Sequence, residues 1–382
     1  MTKKIALTVV HTIGMALLGA VTGLLAPMVP AAAGLAVGLA GAAVVTLGQA
    51  GAAVSLLGYG AGLSAAMLLF QPGWLGLGIW YAAFLMLAHI LTQVQLKQKL
   101  PLPQVMIQTA AWLFMAGMAS YVALYYLKGD GVAFLVETMK AELAAVEEVS
   151  TEVYDMMLSL LSANGYLPDV GLESFVWELD EQTRRVLTAA MVDLFDESLR
   201  LSVMDILVRQ AMHIALIAPL MTLMSYARKG ESERVTKLPD LAQMMVPRKA
   251  STVLFIMVII CMVLMLFVES AAPVYIAGMT VFEFVYGVQG LSLGEWFLRR
   301  KGMNRGLRRL ILWAGFILLP GVMFFLGFIE HIFRFRKMQE LKDSGMLDQL
   351  RRAREEELEQ RIKEFEERTK HRDDDDDHDG RM

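Results

Sequence analysis

The first residue that calls for chemistry is a carboxylate in an apolar segment. Glu283 stands inside residues 272–293, which are otherwise uncharged. If that segment crosses a bilayer, a charge near its middle costs at least about 2.5–3.5 kcal/mol. Glu283 must then face a polar partner, a water-filled cavity or a cation, or stay a neutral, hydrogen-bonded acid. Gln289 lies six residues on and is loosely on the same side, while Gln108 and His213 in other apolar segments are its candidate partners. These four residues form the candidate ligand-binding set; a buried carboxyl that only holds helices together is the alternative. His11, His89 and His213 stand alone in apolar runs and read as helix–helix hydrogen-bonding residues. There is no P-loop, no histidine pair at metal spacing and no dinucleotide fingerprint. The expectation is a protein with no catalytic residues, no metal and no cofactor, and without an ATPase of its own.

A second pattern concerns approach rather than reactivity. Ala16, Gly19, Ala20 and Gly23 place small residues four apart on neighbouring faces, and Gly34 with Gly38 and Gly58 with Gly62 repeat the spacing. In lipid such spacing lets helix backbones come close, and that packing drives association. The face at Ala16, Gly19, Ala20 and Gly23 serves either internal packing or the docking of another membrane subunit.

The elements that must carry these residues are membrane spans. The chain has 382 residues, 56% hydrophobic and 19% charged, with no Asp, Glu, Lys or Arg from Ile5 to Leu96. A span needs about 20 residues, so this stretch holds four, broken at Pro27 and Pro30, at Gln49 to Gly51 and at Gln71 to Gly73. The predicted spans are 5–25, 30–48, 52–70, 74–95, 105–127, 207–227, 250–268, 272–293 and 310–329. The fold class is thus all-α, a polytopic membrane bundle of about eight or nine transmembrane segments. Such a chain is not a soluble enzyme, a disulfide scaffold or a nucleic-acid-binding domain, and its partner is the lipid bilayer. The net charge of −4 and the single Cys261 suggest no polyanion partner and no thiolate site. The first segment is longer than a signal-peptide core and reads as an uncleaved span. The basic loops at 97–99, 228–249 and 299–309 all fall inside if the N-terminus is inside. Arg334, Arg336 and Lys337 after the last segment also signal inside. Segment 310–329 therefore either crosses against that bias or is re-entrant, bent at Pro320-Gly321.

Four regions follow: a membrane region at 1–127, an acidic insertion at 128–205, a second membrane region at 206–333 and a charged tail at 334–382. The insertion carries sixteen acidic and five basic residues. It reads as an extracytoplasmic hairpin of a helix at 132–163, with Leu143, Val146, Val153, Met157 and Leu160 as its apolar stripe, and a second helix from about 173 that runs on into the sixth span. It serves as a cap, or as a lid or docking site for a cationic partner. The tail reads as a solvated helix with a broken stripe of Leu347, Leu350, Leu358, Ile362 and Phe365. It ends in a disordered acidic segment at Asp373 to Asp377 and Asp379.

Residues 289–337 also carry a resemblance. Gln289-Gly290-Leu291-Ser292 is followed by Trp296 and Phe297, a basic run at Arg299 to Lys301, then Gly302-Met303 and Leu307-Arg308. The stretch closes on Leu326-Gly327-Phe328-Ile329-Glu330 and Phe333-Arg334-Phe335-Arg336-Lys337. This order resembles the YybS-like family (DUF2232) of predicted bacterial membrane proteins, itself similar to the substrate-binding S components of energy-coupling-factor transporters. Arg334 departs from the acidic residue expected there, and the long tail is an addition. The resemblance implies a multi-pass protein of the bacterial plasma membrane that binds a small molecule for uptake. It would work with a membrane coupling subunit and ATPases docked through the small residues of the first span, Ala16 and Ala20 among them. The rival class is a non-transport scaffold or regulatory protein that holds partners through insertion and tail.

Overall fold

The computed structural model describes residues 2–25, 30–70, 75–171, 176–237, 240–346 and 355–363. The described residues are helical throughout, with short connections. In chain order the helices are α1 (Thr2–Leu25), α2 (Pro30–Leu47), α3 (Gln49–Phe70), α4 (Leu75–Lys97), α5 (Leu102–Lys128), α6 (Gly131–Val149), α7 (Thr151–Ala163) and α8 (Glu181–Lys229). Then come α9 (Arg248–Phe267), α10 (Ala272–Arg300), α11 (Arg305–Leu318), α12 (Pro320–Phe333) and α13 (Phe335–Asp343). Among the described residues, seven helices are long and apolar enough to cross a membrane: α1, α3, α4, α5, α8, α9 and α10. The bent pair α11 and α12 makes a possible eighth, and α2 is a shorter apolar helix. The chain forms two compact units, residues 1–285 and 286–382, with the boundary inside α10.

In the first unit glycine decides which helices touch. A Cβ on Gly62 of α3 would stand 1.9 Å from the Ala16 carbonyl oxygen, and one on Gly19 of α1 would stand 2.1 Å from that of Tyr59. Only hydrogen side chains permit this approach, so α1 and α3 meet backbone to backbone. α2 packs on α8 in the same way, Gly34 against His213 and Ile217, Gly38 against Met221 and Gly41 against Thr222. Lys229 near the end of α8 donates to the Val45 carbonyl of α2 at 2.7 Å, capping a helix end whose last carbonyls lack intrahelical donors. The core between them holds Met15, Val37, Tyr59, Leu63, Phe84, Leu85, Leu113 and Ile214. α9 is lipid-facing over most of its length and meets α10 at Cys261 opposite Gly278 and at Phe255 on Phe282.

The insertion differs from expectation in three ways. The helix expected over 132–163 is two helices, because Ser150 leaves the helical region (φ −156°, ψ 96°) and its hydroxyl accepts from Val153 N to start α7. The break resets the phase, so α7 buries Tyr154, Asp155, Leu158, Ser159 and Ser162, while Val146, Val153 and Leu160 are exposed. The second helix starts at Glu181, where the Asp180 carboxylate accepts from Thr183 N, and not near 173. It then runs without interruption for 49 residues, through Pro219, into and across the membrane segment. Its cap part packs Leu187 onto Tyr154, Leu158, Leu167 and Leu179.

In the second unit the helix axis bends by 105° between α11 and α12. Each has 14 residues, about 21 Å of helix, so their far ends stand about 26 Å apart. That is short of the roughly 30 Å hydrocarbon core. α12 packs on the inner part of α10 through another glycine pair: a Cβ on Gly327 would stand 1.8 Å from the Tyr286 carbonyl oxygen, and one on Gly290 1.9 Å from that of Met323. Arg334 ends α12 in the left-handed region at φ 51°. That turn brings Arg336 of α13 back to Glu330, Nε to Oε1 at 2.9 Å, while its Nη1 donates to Ser292 at 2.9 Å. Of the tail, 355–363 is helical with Leu358 and Ile362 exposed. Leu347, Leu350, Phe365 and the acidic end lie outside the described residues.

Candidate functional site

Charged side chains gather in the apolar part of the first unit where the middle of α8 meets α10. Asp205, Arg209 and His213 follow one another at four-residue spacing, so they line one face of α8. Arg209 Nε donates to Asp205 Oδ2 at 2.8 Å, and its Nη2 donates to Thr280 Oγ1 of α10 at 3.2 Å. The Thr280 hydroxyl donates in turn to the other Asp205 oxygen. One turn further in, the His213 ring nitrogen Nδ1 pairs with the Arg209 carbonyl at 2.7 Å, and the ring stands edge-on to Phe284 at 5.1 Å.

This arrangement is neither a surface ion pair nor a sealed one. The Asp205 side chain is 14% exposed and that of Arg209 41%. Asp205 is tied on both oxygens, whereas the guanidinium presents an open edge beside a buried threonine. A guanidinium carries five N–H donors and matches carboxylate or phosphate oxygens in pairs. An open Arg edge with an imidazole below it can hold an anionic or zwitterionic small molecule by one end.

The residues singled out from the sequence distribute unevenly around this cluster. His213 is part of it. Glu283 lies on the same stretch of α10, about 60° round the helix from Thr280 at 100° per residue, and is exposed. It flanks the cluster and is not sealed in the bundle. Gln108 is half-buried on α5, beside Thr109, which donates to Gln95 at 2.7 Å. Gln289 is buried on the part of α10 that opens the second unit. Gln108 thus sits on a different helix from His213 and Glu283, and Gln289 on the part of α10 that belongs to the second unit. On α1, Gly19 and Gly23 are buried against Tyr59, Leu63 and Ala66 of α3, and Ala16 lies under Gly62. Ala20 is half-buried; the fully open face of α1 is the apolar one at Val10, Ile13, Leu17 and Val21.

Sequence reasoning missed Asp205 and Thr280. Arg209 at the entrance of the sixth span was the available signal: four residues after an aspartate on one helix, it marks an ion pair.

Above the cluster, the cap holds a stronger ion pair. Asp155 is buried; its Oδ1 accepts from Arg184 Nε at 2.6 Å and its Oδ2 from Arg184 Nη2 at 2.7 Å and from Leu179 N at 2.9 Å. Burial pushes this carboxyl up, but the Arg184 and Leu179 donors outweigh it and hold it below the usual carboxylate range. An open cleft of about 590 Å³ lies alongside, between α6 and α8, lined by Lys140, Glu147, Glu181, Arg184, Arg185 and Asp193 among others. Its basic groups are already matched, Lys140 by Glu137, Arg184 by Asp155 and Arg185 by Glu181, so it offers less to an anionic ligand than the Arg209 edge. No group of His, Cys, Asp and Glu among the described residues could hold a metal ion. No family model, curated protein or solved structure matches the chain.

Proposed function

We propose that this polytopic helical membrane protein is a substrate-binding subunit for uptake of a small polar molecule across a bacterial plasma membrane, similar to an S component. The observation that carries the reading is the half-open Asp205–Arg209–Thr280 cluster, with His213 below it and Glu283 on its flank. Charge in an apolar bundle is retained where it faces a ligand or an ion path. The Arg209 edge takes the anionic end of the molecule, and the exposed Glu283 carboxylate stands ready for a cationic end. The role is binding, not catalysis. The insertion lies outside as a cap over the site, and the bent α11–α12 pair enters and leaves on the cytoplasmic side, which puts the tail inside. The YybS-like resemblance of 289–337 supports the same reading, as does the absence of a P-loop in the chain, since borrowed ATPases and a coupling subunit would drive transport. With the glycine face of α1 turned to α3, such a subunit would dock on the open face at Val10, Ile13, Leu17 and Val21.

The test is native mass spectrometry of the protein extracted in lipid nanodiscs, looking for a retained small molecule and copurified subunits. A ligand that is lost in Arg209→Gln, with folding intact, is the expected result. Soluble regulatory partners on the tail, with no ligand in either form, would replace the transport reading by the scaffold.

A further inference from the structure

Between Glu295 and Glu330 the chain carries no acidic residue and six basic ones, Arg299, Arg300, Lys301, Arg305, Arg308 and Arg309. The second unit gathers them in one place. The chain turns back at Gly302, in the left-handed region at φ 72°, and the Asn304 side chain opens α11 by accepting from Gly306 N at 2.8 Å. Arg308 then pins the first turn of α11 to α10. Its Nε donates to Glu295 at 2.8 Å and its Nη1 to the Met303 carbonyl at 3.2 Å. Both side chains of that pair are 11% exposed, so it is a fixed joint and not a loose surface contact. At the end of α10 the Arg300 guanidinium stands 5.6 Å over the Trp296 ring and pairs with Asp343, and the Lys301 ammonium stands 4.7 Å over Phe297. Arg305, one turn before Arg308, is exposed, as is Lys301.

The same helix turns an apolar side outward. Leu307, Leu310, Ile311 and Leu318 are exposed. At 100° per residue they fall within an arc of about 100°, opposite the buried Leu312 and Phe316. Arg305 and Leu307 are two residues apart, about 3 Å along the axis, so charge gives way to hydrocarbon abruptly. A bilayer surface has that profile, with phosphates directly above acyl chains. A soluble anion would meet the cations and leave the leucines bare. So would the acidic end of this chain's own tail, because Asp373 to Asp377 offer no apolar group to lay on them. A zwitterionic lipid suits the apolar side but brings a cation of its own to the basic end. A lipid with a net negative headgroup suits both.

We propose that the end of α10 and the start of α11 form a binding site for one anionic phospholipid. Lys301 and Arg305 hold its phosphate, with the other basic residues of 299–309 around them, and its acyl chains lie along Leu307, Leu310 and Ile311. The bound headgroup offsets the mutual repulsion of the cations and fixes the depth of α11 in the bilayer. The site belongs to the second unit alone. It depends neither on the Arg209 cluster nor on the side of the membrane that the loop occupies.

The experiment is native mass spectrometry of the full chain released from nanodiscs of phosphatidylglycerol and phosphatidylcholine in equal parts, following the last lipid to leave as collision energy rises. The parent should keep phosphatidylglycerol in preference to phosphatidylcholine. The double variant Lys301→Gln, Arg305→Gln should lower that preference by about tenfold to thirtyfold, the effect of two basic residues at an anionic surface. Both side chains are exposed, so the variant should melt like the parent; if it does not, Arg305→Gln alone carries the same readout. Leu310→Asn should also weaken retention of the last lipid, because it breaks the apolar side without touching a charge. Equal retention of the two lipids by the parent overturns the site, and removal of residues 364–382 then shows whether the acidic tail occupies the cluster instead. A preference that the double variant keeps overturns it as well. So does a preference that survives Leu310→Asn and is abolished by millimolar inorganic phosphate, because the occupant would then be a soluble anion.

Discussion

Asp155 and Arg209 show how differently one ion-pair chemistry behaves in two settings. Asp155 is buried and held by three donors, so removing it strands a guanidinium. Asp155→Asn should cost about 3 kcal/mol, read as faster proteolysis of the cap. Because its folded pKa is depressed, its contribution is complete above the ordinary carboxylate value, about 3.9, and is lost as pH falls through the folded value. Cap stability should thus hold between pH 7 and 5 and drop below about pH 4, and Asp155→Asn should flatten that profile. Arg209→Gln leaves Asp205, 14% exposed, with the Thr280 hydroxyl alone, so it should cost about 1–3 kcal/mol while removing ligand. Glu283→Gln keeps size and hydrogen bonding but cannot ionise. It should melt like the parent and weaken binding of a molecule with a cationic end; parental binding would make the charge irrelevant.

The helices divide by what their sequence advertises. Charge-free length reveals spans: three of the four expected in residues 5–95 are long enough to cross, while α2 is a shorter apolar helix, and the continuous run from insertion to membrane in α8 was legible in the same way. Uncharged polar residues leave no such mark. Gln93 and Gln95 count as neither charge nor breaker, so the buried polar end of α4 vanishes in a span count. The insertion was legible as helical but not in phase, because a single serine cap at Ser150 sets where α7 begins and hence which side is apolar. The glycine pairs were legible as close approaches but not as to partner, since a small-residue spacing does not say which helix fills it. Gly62→Leu should separate α1 from α3: the side chain would meet the Ala16 carbonyl, and a large loss of Tm is expected. Gly14→Leu on α1, where nothing stands near, should leave Tm within about 1 °C, in line with a surface change.

For the whole molecule the proposed topology puts the cap outside and the tail inside, and two labelling sites test it. Cysteine placed at Tyr166, exposed in the cap, with Cys261 changed to Ala, should react in intact cells with an impermeant thiol reagent. Cysteine placed at Ser344, after α13, should react only after lysis. Labelling of both from outside would mean that α11 and α12 cross the membrane despite their bend; protection of the first would invert the order of spans.

α8 ties the cap, the charged cluster and the cytoplasmic side into one rod of 49 residues, about 73 Å long. Such a rod acts as a lever. A tilt of about 5° around its middle moves each end by about 3 Å, given the helix rise per residue. The Arg209 cluster lies near that middle, with the cap above it and, at the other end, Lys229 clasping α2. A change of angle at the Arg209 cluster would therefore be felt at both ends of α8 together, without any relay of side chains between them.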